Sequence, residues 1–216
     1  MQYGAEIWGI EKKLPIEKIH LFALKRFLGV NWRSPNDMIY GELGRYPIVI
    51  NSLVKCISYW LRISRMDEER LPAKAYKMLY NLDCKGKYTW ASKVRVCLCQ
   101  YGFWFVWVNQ GVENIGSFIK YFKQRVIDCR WQEWNSHIQT SDRFFLYRAF
   151  KTSYCIEPYE LVDINRFVRQ TLTKFRCGVS DIAVHIKRYT TEDNQNVLCD
   201  LCKLARQNEV HFVLEC

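Results

Sequence analysis

The 216-residue chain lacks the short signatures of most phosphate and hydrolase chemistry. It has no P-loop, no G-x-G-x-x-G, no His-Glu-x-x-His and no G-x-S-x-G. Those absences exclude the nucleotide-cradling and metallohydrolase sites that such spacings build. Histidine is scarce: His20, His137, His185 and His211 are scattered, and only His211 has neighbours that suit a ligand. His20 falls on a helical pattern and reads as a surface or boundary residue. There is no internal repeat and no low-complexity tract. Residues 1–14 show no basic leader, sustained apolar stretch or small-residue cleavage site. Without an export route the chain is expected inside the cell, in nucleus or cytoplasm. Its 10 cysteines would there meet a reducing environment, where metal binding outranks disulfides and most thiols are inert and buried. The uncharged stretch 96–112 is broken by Gln100, Gly102, Asn109, Gln110 and Gly111. A membrane span needs about 20 mostly apolar residues, so this stretch reads as core.

What is present is apolar and basic. Hydrophobic residues make up 49% and aromatics 15%, too much for a disordered tail and enough for a buried core. Net charge is +10, which favours a polyanionic partner because neutralised phosphates release condensed counterions. Acidic proteins and anionic membranes would attract the same charge.

Periodicity points to a mainly α fold, a multi-helix, bundle-like domain with a small terminal module. Ile16, Ile19, Ala23, Phe27 and Leu28 recur at helical spacing and Gly29 supplies a stop. Ser34 can cap the next helix, with Pro35 at its first position and Asp37 complementing its dipole, up to about Leu43 before Gly44. Further helices are expected over 48–64, with Leu53, Ile57, Trp60 and Leu61 on one face, and over 71–82, 90–99, 115–134, 141–154 and 158–175. The block 103–108 fits either a strand or a buried helix. In 115–134 the apolar face is Ile115, Phe118, Phe122, Val126 and Cys129, with Lys120, Lys123 and Arg130 opposite, and Arg125 falls on the apolar side. Gly178 marks a change to a polar, cysteine-bearing texture. The organisation expected is 1–30, 31–176 and a terminal module over 177–216.

The chemistry lies in that module. Cys199, Cys202, His211 and Cys216 are spaced C-x2-C-x8-H-x4-C. Zinc takes four soft or borderline donors in a tetrahedron, and a closed set of this kind is structural. Cys199 and Cys202 can grip an ion from one tight turn, while His211 and Cys216 return from one side of a short helical segment. Val197, Leu201, Val210 and Phe212 look like its small apolar lid. The alternative is a set of inert thiols. Basic residues adjoin the module: Lys187, Arg188, Lys203 and Arg206, led by Arg166, Arg169, Lys174 and Arg176. These are candidates for nucleic-acid contact, RNA or DNA, against the plainer reading of a solvated face. Phe144, Phe145, Tyr147 and Arg148 interleave rings with charge, as base-stacking surfaces do, but at this aromatic density they read as packing, like Trp131 and Trp134.

Several blocks resemble one family. YGAEIWG, IEKIHLFALKRFLGV and SPNDMIYGELGRYPI, then KYTWASKVRVCLCQYGFWFVWVNQ and FIKYFKQRVIDCRWQEWNS, resemble the segment downstream of the polymerase domain in non-LTR (LINE-type) retrotransposon reverse transcriptases. The terminal C-x2-C-x8-H-x4-C resembles the Cys-Cys-His-Cys motif near the end of those polyproteins. The resemblance implies that 1–30 corresponds to the end of the polymerase thumb and the rest to a carboxy-terminal segment that engages RNA or target DNA during target-primed reverse transcription. That family's polymerase needs an Asp-Asp pair, which is absent from this sequence. The expectation is a non-catalytic fragment, zinc-dependent in binding nucleic acid. Two readings stay beside it: a helical scaffold for protein interaction, and a partial, decayed copy of an element.

Overall fold

A computed structural model of the chain describes residues 3–10, 15–180, 182, 185, 198–199, 201–205 and 211–216. Among them the secondary structure is helical, without a strand; Leu43 and Ile156 form an isolated antiparallel bridge. The mainly α fold read from the sequence is the fold observed. The helices are α1 (Ala5–Trp8), α2 (Pro15–Leu28), α3 (Asn36–Glu42), α4 (Val49–Ile63), α5 (Leu71–Cys84), α6 (Trp90–Gln100), α7 (Trp104–Val108), α8 (Ile115–Thr140), α9 (Phe145–Phe150), α10 (Pro158–Leu161) and α11 (Arg166–Arg176). A π turn over His211–Glu215 follows. No helix among the described residues is long and apolar enough to cross a membrane. The chain divides into two compact units, Met1–His20 with Tyr46–Trp134 and Leu21–Arg45 with Asn135–Cys216.

The first unit is built on α4. Leu53, Ile57, Trp60 and Leu61 are buried along one face, as their spacing predicts. Trp60 stacks on Trp107 at 5.8 Å, and its indole Nε1 donates to the Tyr76 hydroxyl at 2.8 Å. The ambiguous block 103–108 is helical, as α7. Gly102, at φ +85°, turns the chain between α6 and α7, which ends the uncharged stretch as a candidate span. On α8, Phe122 and Val126 are buried and Arg125 is exposed, so the arginine lies just beyond the edge of the apolar stripe.

The second unit has a smaller apolar cluster of Leu28, Ile39 and Leu43 with Leu24 and Val30. It corrects the stripe read on α2: Leu24 and Leu28 face inward, while Ile19 and Phe27 are 65% and 56% exposed. It also corrects the Ser34 cap, because Pro35 precedes the first turn and no side chain caps it. Two long helices expected near the end are broken. The one over 141–154 stops at Phe150, where the buried Lys151 ammonium donates to the Cys155 carbonyl at 2.6 Å and pairs with Glu157 at 2.5 Å, pulling 151–157 into a loop. The one over 158–175 splits into α10 and α11, because Asn165 caps α11 by accepting from the Phe167 amide at 2.8 Å.

A buried polar cluster ties these pieces together. Arg176 holds both carboxylate oxygens of Glu42, through Nε at 3.2 Å and Nη2 at 3.1 Å, and reaches Glu157 at 2.8 Å. Tyr159 donates to Glu42 and lies 3.0 Å from the Thr173 hydroxyl. Gly44, at φ +57°, closes on the Cys155–Ile156 backbone so tightly that a Cβ would come within 2.5 Å of the Ile156 nitrogen.

Candidate metal centre

The first two donors come from a tight turn. The Cys199 amide donates to the Ala205 carbonyl at 2.8 Å and the Lys203 amide returns to the Cys199 carbonyl at 2.9 Å. Lys203 closes the turn at φ +58°, a left-handed conformation rare outside glycine. Each sulfur accepts backbone amides from just beyond it: Cys199 from Cys202 and Leu201, Cys202 from Leu204 and Ala205. Such bonds stabilise thiolate. They hold the Cys199 thiol below its ordinary range and, with Leu204 as the largest contributor, bring Cys202 down to about 6.

The other two donors come from the π turn. The Cys216 amide bonds to the His211 carbonyl at 2.8 Å, the five-residue closure that defines this geometry. In an α-helix, residues five apart diverge by about 140° around the axis; here they return to one side. His211 Nε2 lies 3.2 Å from Cys202 Sγ, and its Nδ1 is 3.2 Å from Glu215 Oε2. Cys199 and Cys216 sulfurs are 3.7 Å apart. The Cys216 thiol, donating to Cys199, is pushed up to about 11. Hydrogen bonds to the Cys199 and Cys202 sulfurs raise the His211 imidazole above its usual range.

All four donor atoms lie within 4.8 Å of one another, and the group can hold a metal ion. The Cys199–Cys216 separation of 3.7 Å is close to the spacing of about 3.8 Å that two sulfurs would have on one tetrahedral ion at about 2.3 Å. Cys199 and His211 are buried, Cys202 is half-buried and Cys216 is exposed. The Glu215 carboxylate behind the imidazole is the outer partner that ligating histidines usually have.

Other expectations meet the structure less closely. The lid is not formed where it is described: Leu201 is 72% and Phe212 40% exposed. Val197 and Val210 lie outside the described residues, as do Lys187, Arg188 and Arg206. Lys203 is exposed. In the basic approach, Arg166 is exposed, Arg169 and Lys174 are half-buried, and Arg176 is turned into the polar cluster. Phe144, Tyr147 and Trp134 are buried, whereas Phe145 and Trp131 are exposed. Cys56 and Cys97 are buried thiols raised to about 12, but Cys84, Cys99 and Cys155 are exposed, so inertness by burial covers only part of the set. The Glu215 contact and the cluster around Glu42 were missed; the first is signalled by a carboxylate four residues after a histidine, the second by nothing local. No protein-family model, curated protein or solved structure matches the chain.

Proposed function

We propose that the terminal module is a structural zinc site, and that the chain is a non-catalytic, nucleic-acid-binding segment of a protein of the non-LTR retrotransposon type. The observation that carries the reading is the convergence of Cys199, Cys202, His211 and Cys216 within 4.8 Å. Three thiolates and an imidazole select a soft or borderline ion, which favours zinc over calcium or magnesium. Four protein donors close the coordination sphere, so the ion would shape the fold and activate no water. Thiolate donors need a reducing compartment, hence nucleus or cytoplasm. The resemblance implies contact with RNA or target DNA. The net charge of +10 supports that partner, with Lys187, Arg188, Lys203 and Arg206 as the residues that would meet phosphates.

The test is binding of the zinc-loaded chain to single-stranded RNA across a salt series. Affinity should fall with a log–log slope of roughly −0.7 per phosphate engaged. Replacing Lys187 and Arg188 together by Ala should weaken binding about evenly across sequences and reduce the slope by about one to two units. Affinity that is flat in salt, or indifferent to these residues, would return the basic surface to a solvated face.

A further inference from the structure

The first unit carries an exposed aromatic face that its own core does not use. On α7, Trp104, Phe105 and Val108 are 53%, 57% and 57% exposed, and on α8 Tyr121 is 64% exposed. They are not loosely held. The buried ring of Phe103 stands edge-on to Phe105 at 6.3 Å and to Tyr121 at 5.5 Å. Phe118 and Phe122 pack on that same ring at 5.2 and 5.6 Å. Phe105 and Tyr121 are therefore propped from beneath and lose little freedom on meeting a ligand.

The surrounding charge indicates the ligand. Over 114–127 the chain carries Lys120, Lys123 and Arg125 and no acid. All three are exposed, and no acidic side chain pairs with them among the described residues. Arg125 is one helical turn from Tyr121, on the same face. The nearest acids along the chain are Glu113, before the helix, and Asp128, half-buried and already accepting from Gln124 at 2.8 Å. An apolar protein partner would cover the rings but leave Arg125 uncompensated. A duplex would match the cations but keep its base faces stacked inside. Unpaired bases offer both flat faces and phosphates. We propose that Trp104, Phe105 and Tyr121, with Arg125 on the Tyr121 face of α8 and Lys120 and Lys123 further round the helix, form a stacking platform for single-stranded nucleic acid. The four metal donors belong to the other unit, so the platform and the zinc reading can fail separately.

The experiment measures anisotropy of labelled oligouridylate, oligothymidylate and a hairpin duplex with the full chain. Phe105→Leu and Tyr121→Leu should each weaken single-strand binding about tenfold, whereas Tyr121→Phe should stay close to wild type. Arg125→Ala should reduce the salt slope by about 0.7. The same losses should persist in Cys202→Ser, which separates this site from the metal centre. Unchanged thermal midpoints would show that these surface substitutions leave the fold intact. Leu variants that bind like wild type, a duplex that competes as well as a single strand, or the absence of any single-strand binding would overturn the platform. So would a Tyr121→Leu effect seen only on self-association or on an acidic protein.

Discussion

Glu215 is exposed, yet its carboxylate oxygen sits against His211 Nδ1 while the other ring nitrogen faces Cys202. That contact fixes which nitrogen is offered to a metal and raises its basicity. Glu215→Gln should therefore leave the four donors in place but lower zinc affinity by roughly tenfold, measured by competition with a chelator. Unchanged affinity would mean that the carboxylate is a bystander. A second carboxylate, Glu160, behaves differently. Its Oε1 accepts from Thr173 at 3.2 Å, Oε2 is buried without a hydrogen-bond partner, and burial raises its pKa. A raised carboxyl binds its proton more tightly folded than unfolded. Its favourable contribution is thus full below the unfolded value and is lost as pH rises through the folded one. Glu160→Gln keeps the acceptor for Thr173 and removes the charge. The variant should be more stable than wild type at neutral pH, with the difference vanishing as pH falls into the carboxylate range. Chemical denaturation at several pH values would show this, and a variant less stable at neutral pH would contradict it.

At the scale of elements, the end of α3, the loop 151–157 and α11 are joined through Arg176. The side chain of Glu42 is fully buried, and those of Arg176 and Glu157 are each 12% exposed. Removing one member of such a cluster leaves uncompensated charge. Arg176→Ala should cost about 3–5 kcal/mol, read as a lowered denaturation midpoint, far beyond what losing a surface cation would cost. A change below about 1 kcal/mol would place Arg176 back on the surface. This cluster also explains what the sequence left hidden. The faces of α4 and α8 were legible because long apolar periodicity outweighs everything else over four or more turns. The split between α10 and α11 was half legible: Asn165 is a good cap, but the apolar pattern on either side reads as one helix. The end of α9 was not legible, since Lys151 leaves the helix to meet Glu157 and Cys155, contacts that no local pattern announces. On α2 the stripe was read one step aside, because exposed Ile19 and Phe27 are as apolar as the buried leucines.

For the whole molecule, the candidate metal centre and the helices answer to different forces. The cores of both units rest on apolar contacts and buried polar pairs that need no ion, while the terminal turn has little apolar burial: Leu198, Leu201 and Leu204 are 54%, 72% and 87% exposed. Stripping zinc should loosen the last ~40 residues and leave the helical signal by circular dichroism nearly intact. A global loss of helix on chelation would show that the two are coupled. The candidate donors were legible because four ligand-type residues fall within a short stretch, and the π turn explains how His211 and Cys216, five apart, meet on one side. The basic residues beside them were legible only as charge, and Arg176 shows how burial can redirect a cation. The central claim is that these four side chains hold one zinc ion. Elemental analysis of the purified chain beside Cys202→Ser tests it directly: one zinc per wild-type chain and none in the variant are the expected results, whereas wild type that carries no metal and takes up none when zinc is added would contradict the account.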